Sequence, residues 1–262
     1  MDIGIACAFE SRQAGSLREA IRAAALAAED EGFASWWGLG DREVAQTASH
    51  DATMGLYCVA RATRRIRLGL AGDVLAARAA AVRAKQLASL DWFAGGRLEL
   101  GVDLDAPPAD LLEPGADVAD PVGRSLDRLA AMEALWTQRR AAVSSPTVSF
   151  SGAIANPKPV GERRLTVHLR HPGAPVLRRV LETRGRIEAW AAWRLAPAAL
   201  DAALAELRDA SGAEPGPVRR TWFVDAHLVP TSRAVAADAG IDELVAVFDR
   251  IPEPVALAEV AG

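Results

Sequence analysis

The passage from Arg83 to Asp105, RAKQLASLDWFAGGRLELGVDLD, changes period partway along, and that change limits what the chain can become. Val82, Leu87, Leu90 and Ala94 recur near one face at helical spacing. Gly95-Gly96 then offers the positive φ that ends a helix. From Arg97 to Val102 the period is two, with Leu98, Leu100 and Val102 on one side and Gly101 leaving the backbone unobstructed. Asp103 and Asp105 follow where the strand should stop. A helix feeding a short buried strand that ends in carboxylates is the repeating unit of an α/β barrel, whose chemistry sits where strands end.

The same alternation runs through the chain. Ile3 to Ala8 reads as a first strand, Glu10 to Gly15 as a polar loop, and a helix begins at Ser16, which has capping-box spacing to Glu19. Gly32 stops that helix. Phe33 to Leu39 is a second strand, Glu43 to Thr63 a second helix, Arg64 to Ala71 a third strand and Arg78 to Ala94 a third helix. Three strand-then-helix units argue for parallel strands with right-handed crossovers. The proline-rich, acidic stretch Asp105 to Pro121 is a loop, and Asp120-Pro121 caps a helix running to Trp136. Val148 to Gly152 is hairpin-like. Leu165 to Leu169, Arg186 to Trp190, Arg220 to Val229 and Glu243 to Phe248 then read as four more strands. Helices at Pro175 to Arg184, Pro197 to Ala210 and Ser232 to Ala239 separate them. The expected fold is a compact (β/α)8 TIM barrel, one domain over residues 1–262. Its last segment is too short for a full closing helix, so the barrel is expected to end in a stub or stay partly open.

Composition narrows the function classes. Half of the 262 residues are apolar, enough for a large core. With 30 basic and 34 acidic residues, no broad positive field invites nucleic acid or an anionic membrane, and neither is expected as a partner. Cys7 and Cys58 lack CxxC or Cys/His spacing, and His50, His168, His171 and His227 form no HExxH, so no metal site is expected. Unpatterned cysteines, no basic-then-apolar leader before Ser11 and no spanning run lead us to expect a cytoplasmic protein. Hydrolase and Rossmann readings lack their GxSxG and GxGxxG signatures.

In such a barrel the candidates for chemistry lie at strand ends: Cys7, Glu10, Asp41, Arg42, Gly72, Asp73, Asp103, Asp105, His168, Arg170, His171, Trp190 and His227. Asp41-Arg42 suits a surface pair or a helix cap as well as a site, and arginine stabilises anions but cannot shuttle protons near neutral pH. Asp103 places negative charge where an anion would be disfavoured. Arg170 before Gly173 suits a phosphate, although Pro172 and Pro175 remove N–H donors there. His168 in an apolar strand also suits a satisfied core residue. Trp36, Trp37, Trp190, Trp193 and Trp222 either wall a pocket for a flat ring or fill the core.

Lys85-Gln86, Leu90-Asp91, Gly95-Gly96-Arg97-Leu98 and Leu100-Gly101-Val102 are echoed by Gly32-Phe33 before Trp36-Trp37, by Thr63 to Gly69 (TRRIRLG) and by Ala239 to Val247 (AGIDELVAV). In this set and order the chain resembles the luciferase-like monooxygenase superfamily of flavin- and deazaflavin-dependent oxidoreductases. The resemblance implies FMN or a 5-deazaflavin coenzyme, hydride transfer or oxygen activation on a small organic substrate, and a homodimer through the second and third helices. It implies catalytic positions at Asp41 and Arg42, and cofactor-binding positions at Gly72, Asp103, His168, Arg170, His171 and Gly173. Arg42 stands where histidine is common in the family; Asp103 where glycine is common, a short middle region, the proline-flanked turn at Arg170 to Gly173 and a clipped C-terminus are further departures. They leave a second expectation, a homologue with no cofactor that serves as a structural subunit, a small-molecule binder or a non-redox enzyme.

Overall fold

The computed structural model describes residues 1–10, 14–44, 47–105, 107, 111–112, 118–211 and 218–262. Its strands are β1 (Asp2–Cys7), β2 (Ser35–Gly38), β3 (Arg67–Asp73), β4 (Leu98–Val102), β5 (Ala141–Ser144), β6 (Ser149–Ala153), β7 (Thr166–Arg170), β8 (Ala189–Trp193), β9 (Arg219–Asp225) and β10 (Glu243–Phe248). Strands β5 and β6 form a separate antiparallel pair, and the other eight close into a parallel barrel in the order β1-β2-β3-β4-β7-β8-β9-β10. Closure is direct, because Gly4 of β1 lies opposite Ser35 on one side and Val245 of β10 on the other. The barrel is therefore complete and not left open.

The helices are α1 (Ala14–Asp30), α2 (Asp41–Val44), α3 (Ala52–Ala62), α4 (Ala80–Phe93), α5 (Pro121–Thr137), α6 (Ala174–Arg184), α7 (Pro197–Ser211), α8 (Val229–Asp238) and the short final α9 (Pro254–Ala261). Alternation along each strand sends side chains to two separate cores. Residues facing outward, among them Ile5, Trp36, Leu68, Leu100, Trp190, Trp222 and Leu244, pack under the helices. Residues facing inward, among them Ala6, Trp37, Ala71, Ala191, Phe223 and Val245, fill the barrel. Trp37 needs Gly69 beneath it, since a Cβ there would fall inside the indole.

The barrel's N-terminal end is closed by charge instead of hydrocarbon. Arg67 and Arg219 each donate to a different oxygen of Glu243 at 2.8 Å, and Arg219 also reaches Glu99 at 3.1 Å. Ser35 donates to Glu243 at 2.5 Å and accepts from the Trp37 indole at 2.7 Å. A buried charge is tolerated when its partners are this complete.

Several limits differ from those read along the sequence. The expected helix from Glu43 to Thr63 is two helices, α2 and α3. Asp51 caps the second by accepting from the Thr53 amide at 2.8 Å, while the His50 amide bonds Phe9 O at 2.9 Å and pulls the intervening chain toward β1. Strand β8 starts at Ala189, three residues later than expected, because Gly185 ends α6 in the left-handed region and residues 186–188 make the connection. Strand β9 stops at Asp225, where a short 3-10 turn, Ala226–Leu228, begins. Helix α1 starts at Ala14, two residues before Ser16. Most of the 105–121 loop lies outside the described residues. Asp120 caps α5 as expected, accepting from the Gly123 amide at 3.0 Å. Among the described residues no helix is long and apolar enough to cross a membrane.

Candidate active site

At the C-terminal end of the barrel, four charged side chains meet over an aromatic floor. Arg42 follows β2, Asp103 follows β4, Arg170 ends β7, and Glu43 sits beside Arg42 in α2. Arg42 Nε donates to Asp103 Oδ2 at 2.9 Å. Arg170 Nη1 donates to Glu43 Oε1 at 2.6 Å and lies 3.5 Å from the same Asp103 oxygen. The cluster pairs two positive with two negative groups, and Asp103 at its centre is 3% exposed. Burial disfavours the Arg42 charge, but the Asp103 hydrogen bond and the nearby Asp105 and Glu43 outweigh it and hold the guanidinium above its usual pKa.

Below the charges lies the floor. The Arg170 guanidinium sits 4.6 Å from the Trp193 ring centroid, a cation–π contact. Trp193 packs on Phe223 at 5.1 Å, and Phe223 meets the Trp37 indole edge-on at 5.4 Å. Gly72, at the end of β3, leaves room for Arg170, whose Nη1 would be 3.1 Å from a Cβ there. One polar atom in this group is unsatisfied: Glu43 Oε2 is buried without a hydrogen-bond partner among the described residues. Two guanidinium donors and a free carboxylate oxygen beside aromatic rings suit a flat ligand bearing carbonyl acceptors and an N–H donor.

The structure thus brings together Arg42, Gly72, Asp103 and Arg170. It places the other expected residues apart from them. Both oxygens of Asp41 are engaged at the β3–α4 connection, where they accept from the Val74 amide at 3.1 Å and from Arg78. His168 lies deeper in the barrel, two residues below Arg170 on the same strand. Its Nε2 is 2.8 Å from Glu99, its ring meets Trp37 edge-on at 4.9 Å, and its Nδ1 has no partner among the described residues. His171 faces outward, accepting from the Trp190 indole at 3.3 Å and lying 3.6 Å from Glu206 of α7. Burial depresses its pKa, with Glu206 opposing. Gly173 precedes α6 with φ 82° as its N-cap residue.

Cys7 is fully buried, and burial pushes its thiol pKa far up, which excludes it as a nucleophile. Trp190 lies mid-strand in the outer core, and His227 is exposed in the turn after β9. Among the described residues no group of histidine, cysteine or carboxylate side chains has the arrangement of a metal site. Glu43 is the member of the cluster that strand-end reasoning missed. Its signal was its place two residues after Asp41, inside what looked like the start of a long helix.

A closed parallel barrel with a charged cluster at its C-terminal strand ends defines a class of α/β-barrel proteins. Within that class the chain belongs to the luciferase-like monooxygenase family, whose model matches residues 1–258. Monooxygenase RslO1 from Streptomyces bottropensis superposes with a TM-score of 0.78 at 16% identity, over 100% of this chain and 96% of that one. The oxygenating constituent of 3,6-diketocamphane monooxygenase from Pseudomonas putida, solved with FMN, gives 0.70 at 17% identity, covering 92% and 80%. An F420-dependent secondary alcohol dehydrogenase, solved with an F420–acetone adduct, gives 0.79 at 13% identity, covering 99% and 97%. At these identities the likeness is one of fold. An uncharacterized protein of Mycobacterium tuberculosis strain H37Rv is 33% identical over 114 residues, 42% of this chain and 39% of the relative. The match thus spans about two fifths of that curated relative's length.

Proposed function

We propose that this chain is a flavin- or deazaflavin-dependent oxidoreductase that joins its cofactor to a small organic substrate at the C-terminal mouth of the barrel. The observation that carries the reading is the Arg42–Asp103–Arg170–Glu43 cluster above Trp193, with Glu43 Oε2 left without a hydrogen-bond partner among the described residues. Its chemistry suits a ring with carbonyl acceptors and an N–H, and Asp103 is no longer an objection, because two arginines offset its charge.

When bound, a reduced flavin or deazaflavin supplies a hydride, and a flavin can also supply electrons to oxygen. The chain's own residues orient and tune. As guanidinium groups, Arg42 and Arg170 stabilise negative charge and are not proton shuttles. Asp103 fixes both guanidinium groups, and Trp193 with Phe223 keeps water from the floor. Glu43 Oε2 is the acceptor that would orient an incoming N–H.

A second reading is favoured by one specific contact. Arg170 already covers the Trp193 ring and is paired with two carboxylates, so its side chain fills space that a ring would need. On that reading the fold persists without a cofactor, as a subunit, a small-molecule binder or a non-redox enzyme.

A homodimer through α3 and α4 belongs to the first proposal. Its support is the apolar surface those helices leave open at Met54, Val82, Trp92 and Phe93.

Turnover separates the two readings. Reduced FMN or reduced deazaflavin, mixed anaerobically with the protein and then with oxygen or a panel of aldehydes and ketones as hydride acceptors, should be consumed faster than free cofactor. The excess should fall at least about tenfold in Arg170→Ala, as expected when a charge-assisted contact is removed. Consumption equal to that of free cofactor with every partner would favour the second reading.

A further inference from the structure

Away from the mouth, the groove between α1 and α3 gathers positive charge. Arg18 and Arg22 lie one turn apart on α1, and Tyr57, Cys58 and Arg61 face them from α3 around about 380 Å³ of space. Among the described residues, none of the three arginines has a hydrogen bond or ion pair. Elsewhere Arg67, Arg83, Arg163 and Arg179 are all paired with carboxylates.

Like charges one turn apart destabilise a helix, and the chain as a whole is acidic, at −4. Three guanidinium groups on one groove, unpaired among the described residues, run against both tendencies. Guanidinium forks match phosphate oxygens bidentately. Tyr57, held edge-on against Phe93 at 4.8 Å, adds a flat wall, and the volume suits a small ligand. We propose that this groove is a second binding site, separate from the mouth, for a small anion bearing a diphosphate group.

The site carries its own reporter. Cys58 lines the groove, whereas Cys7 is fully buried, so a thiol reagent reads Cys58 alone. Iodoacetamide labelling of the full chain would be followed by mass spectrometry with inorganic pyrophosphate as the probe, at ionic strength held constant with sodium chloride. Pyrophosphate should slow Cys58 labelling saturably at sub-millimolar concentration. In the R22Q/R61Q double variant, half-protection should need at least about tenfold more probe, because two charge-assisted contacts are gone. Single Arg18→Gln and Arg61→Gln variants should give smaller shifts, and they stand in for the double variant if circular dichroism shows it misfolded. Protection no greater than that of matched sodium chloride, or protection retained in the arginine variants, would overturn the proposal.

Discussion

Truncating Asp91 should cost more stability than any change at the mouth. This carboxylate, fully buried in the last turn of α4, ties three segments together. Its Oδ1 accepts from the Leu98 amide at 3.1 Å and from Arg163 Nη2 at 2.9 Å, and its Oδ2 accepts from the Val160 amide at 2.9 Å. Asp91→Ala leaves the Leu98 amide buried without an acceptor, at about 1–3 kcal/mol, and the half-buried Val160 amide adds about 1 kcal/mol. Arg163 is 34% exposed and keeps its bond to Gly96 O at 2.7 Å, so its lost ion pair adds less than about 1 kcal/mol. The total is about 2–5 kcal/mol, and for a chain of this length the melting temperature should fall by on the order of 10 °C. Urea unfolding followed by tryptophan fluorescence, with far-UV circular dichroism as a second probe, measures the loss. Asp91→Asn keeps the volume and one acceptor, so it should lose roughly half as much. A loss below about 1 kcal/mol for Asp91→Ala would refute the claim that this one side chain fastens helix to strand.

Three further outcomes follow from the same contacts. Glu243→Gln removes the charge facing Arg67 and Arg219 inside the barrel and should cost about 3–5 kcal/mol in chemical denaturation; a cost near zero would mean that water screens the N-terminal plug. Gly69→Ala should displace the Trp37 indole and cost about 1–3 kcal/mol, with a red shift in tryptophan emission; an unchanged spectrum and stability would contradict the packing. Asp120 caps α5 and pairs with Arg179, which holds its carboxyl pKa at about 2, below the usual 3.8. Its contribution is therefore complete above the usual value and is lost as pH falls toward 2. Asp120→Ala should cost about 1 kcal/mol at pH 7, and the gap to wild type should narrow between pH 5 and pH 2; a gap independent of pH would show that the ion pair contributes nothing.

The barrel was legible because its repeating unit writes two periods and a stop into the chain. Gly95 and Gly96 take φ of 64° and 82°, and Asp120 caps α5, both as the residue types require. What escaped notice depends on contacts remote in sequence. The long helix after β2 breaks because His50 bonds back to Phe9, and nothing local announces that pairing. Strand β8, AWAAW, is buried on both faces and carries no alternation to set its register. Arg42, Gly72, Asp103 and Arg170 lie together because strand ends converge in any such barrel. Glu43 and the stacking of Arg170 on Trp193 depend on where α2 and β8 begin, which the sequence pattern misplaced. His168 and His171 differ in fate through strand parity alone: one faces Glu99 inside the barrel, the other Glu206 outside it.

The most direct test of the central proposal is equilibrium binding. Purified wild-type chain is titrated with FMN and with the deazaflavin coenzyme, each oxidised and reduced, while visible absorbance and tryptophan quenching are followed. Trp193 at the mouth, one of the seven tryptophans, would report a ligand bound there. Tight, saturable binding of at least one of the four forms is expected, weakened in Arg42→Ala and Arg170→Ala. Absence of saturable binding by all four at high micromolar concentration would contradict the proposal.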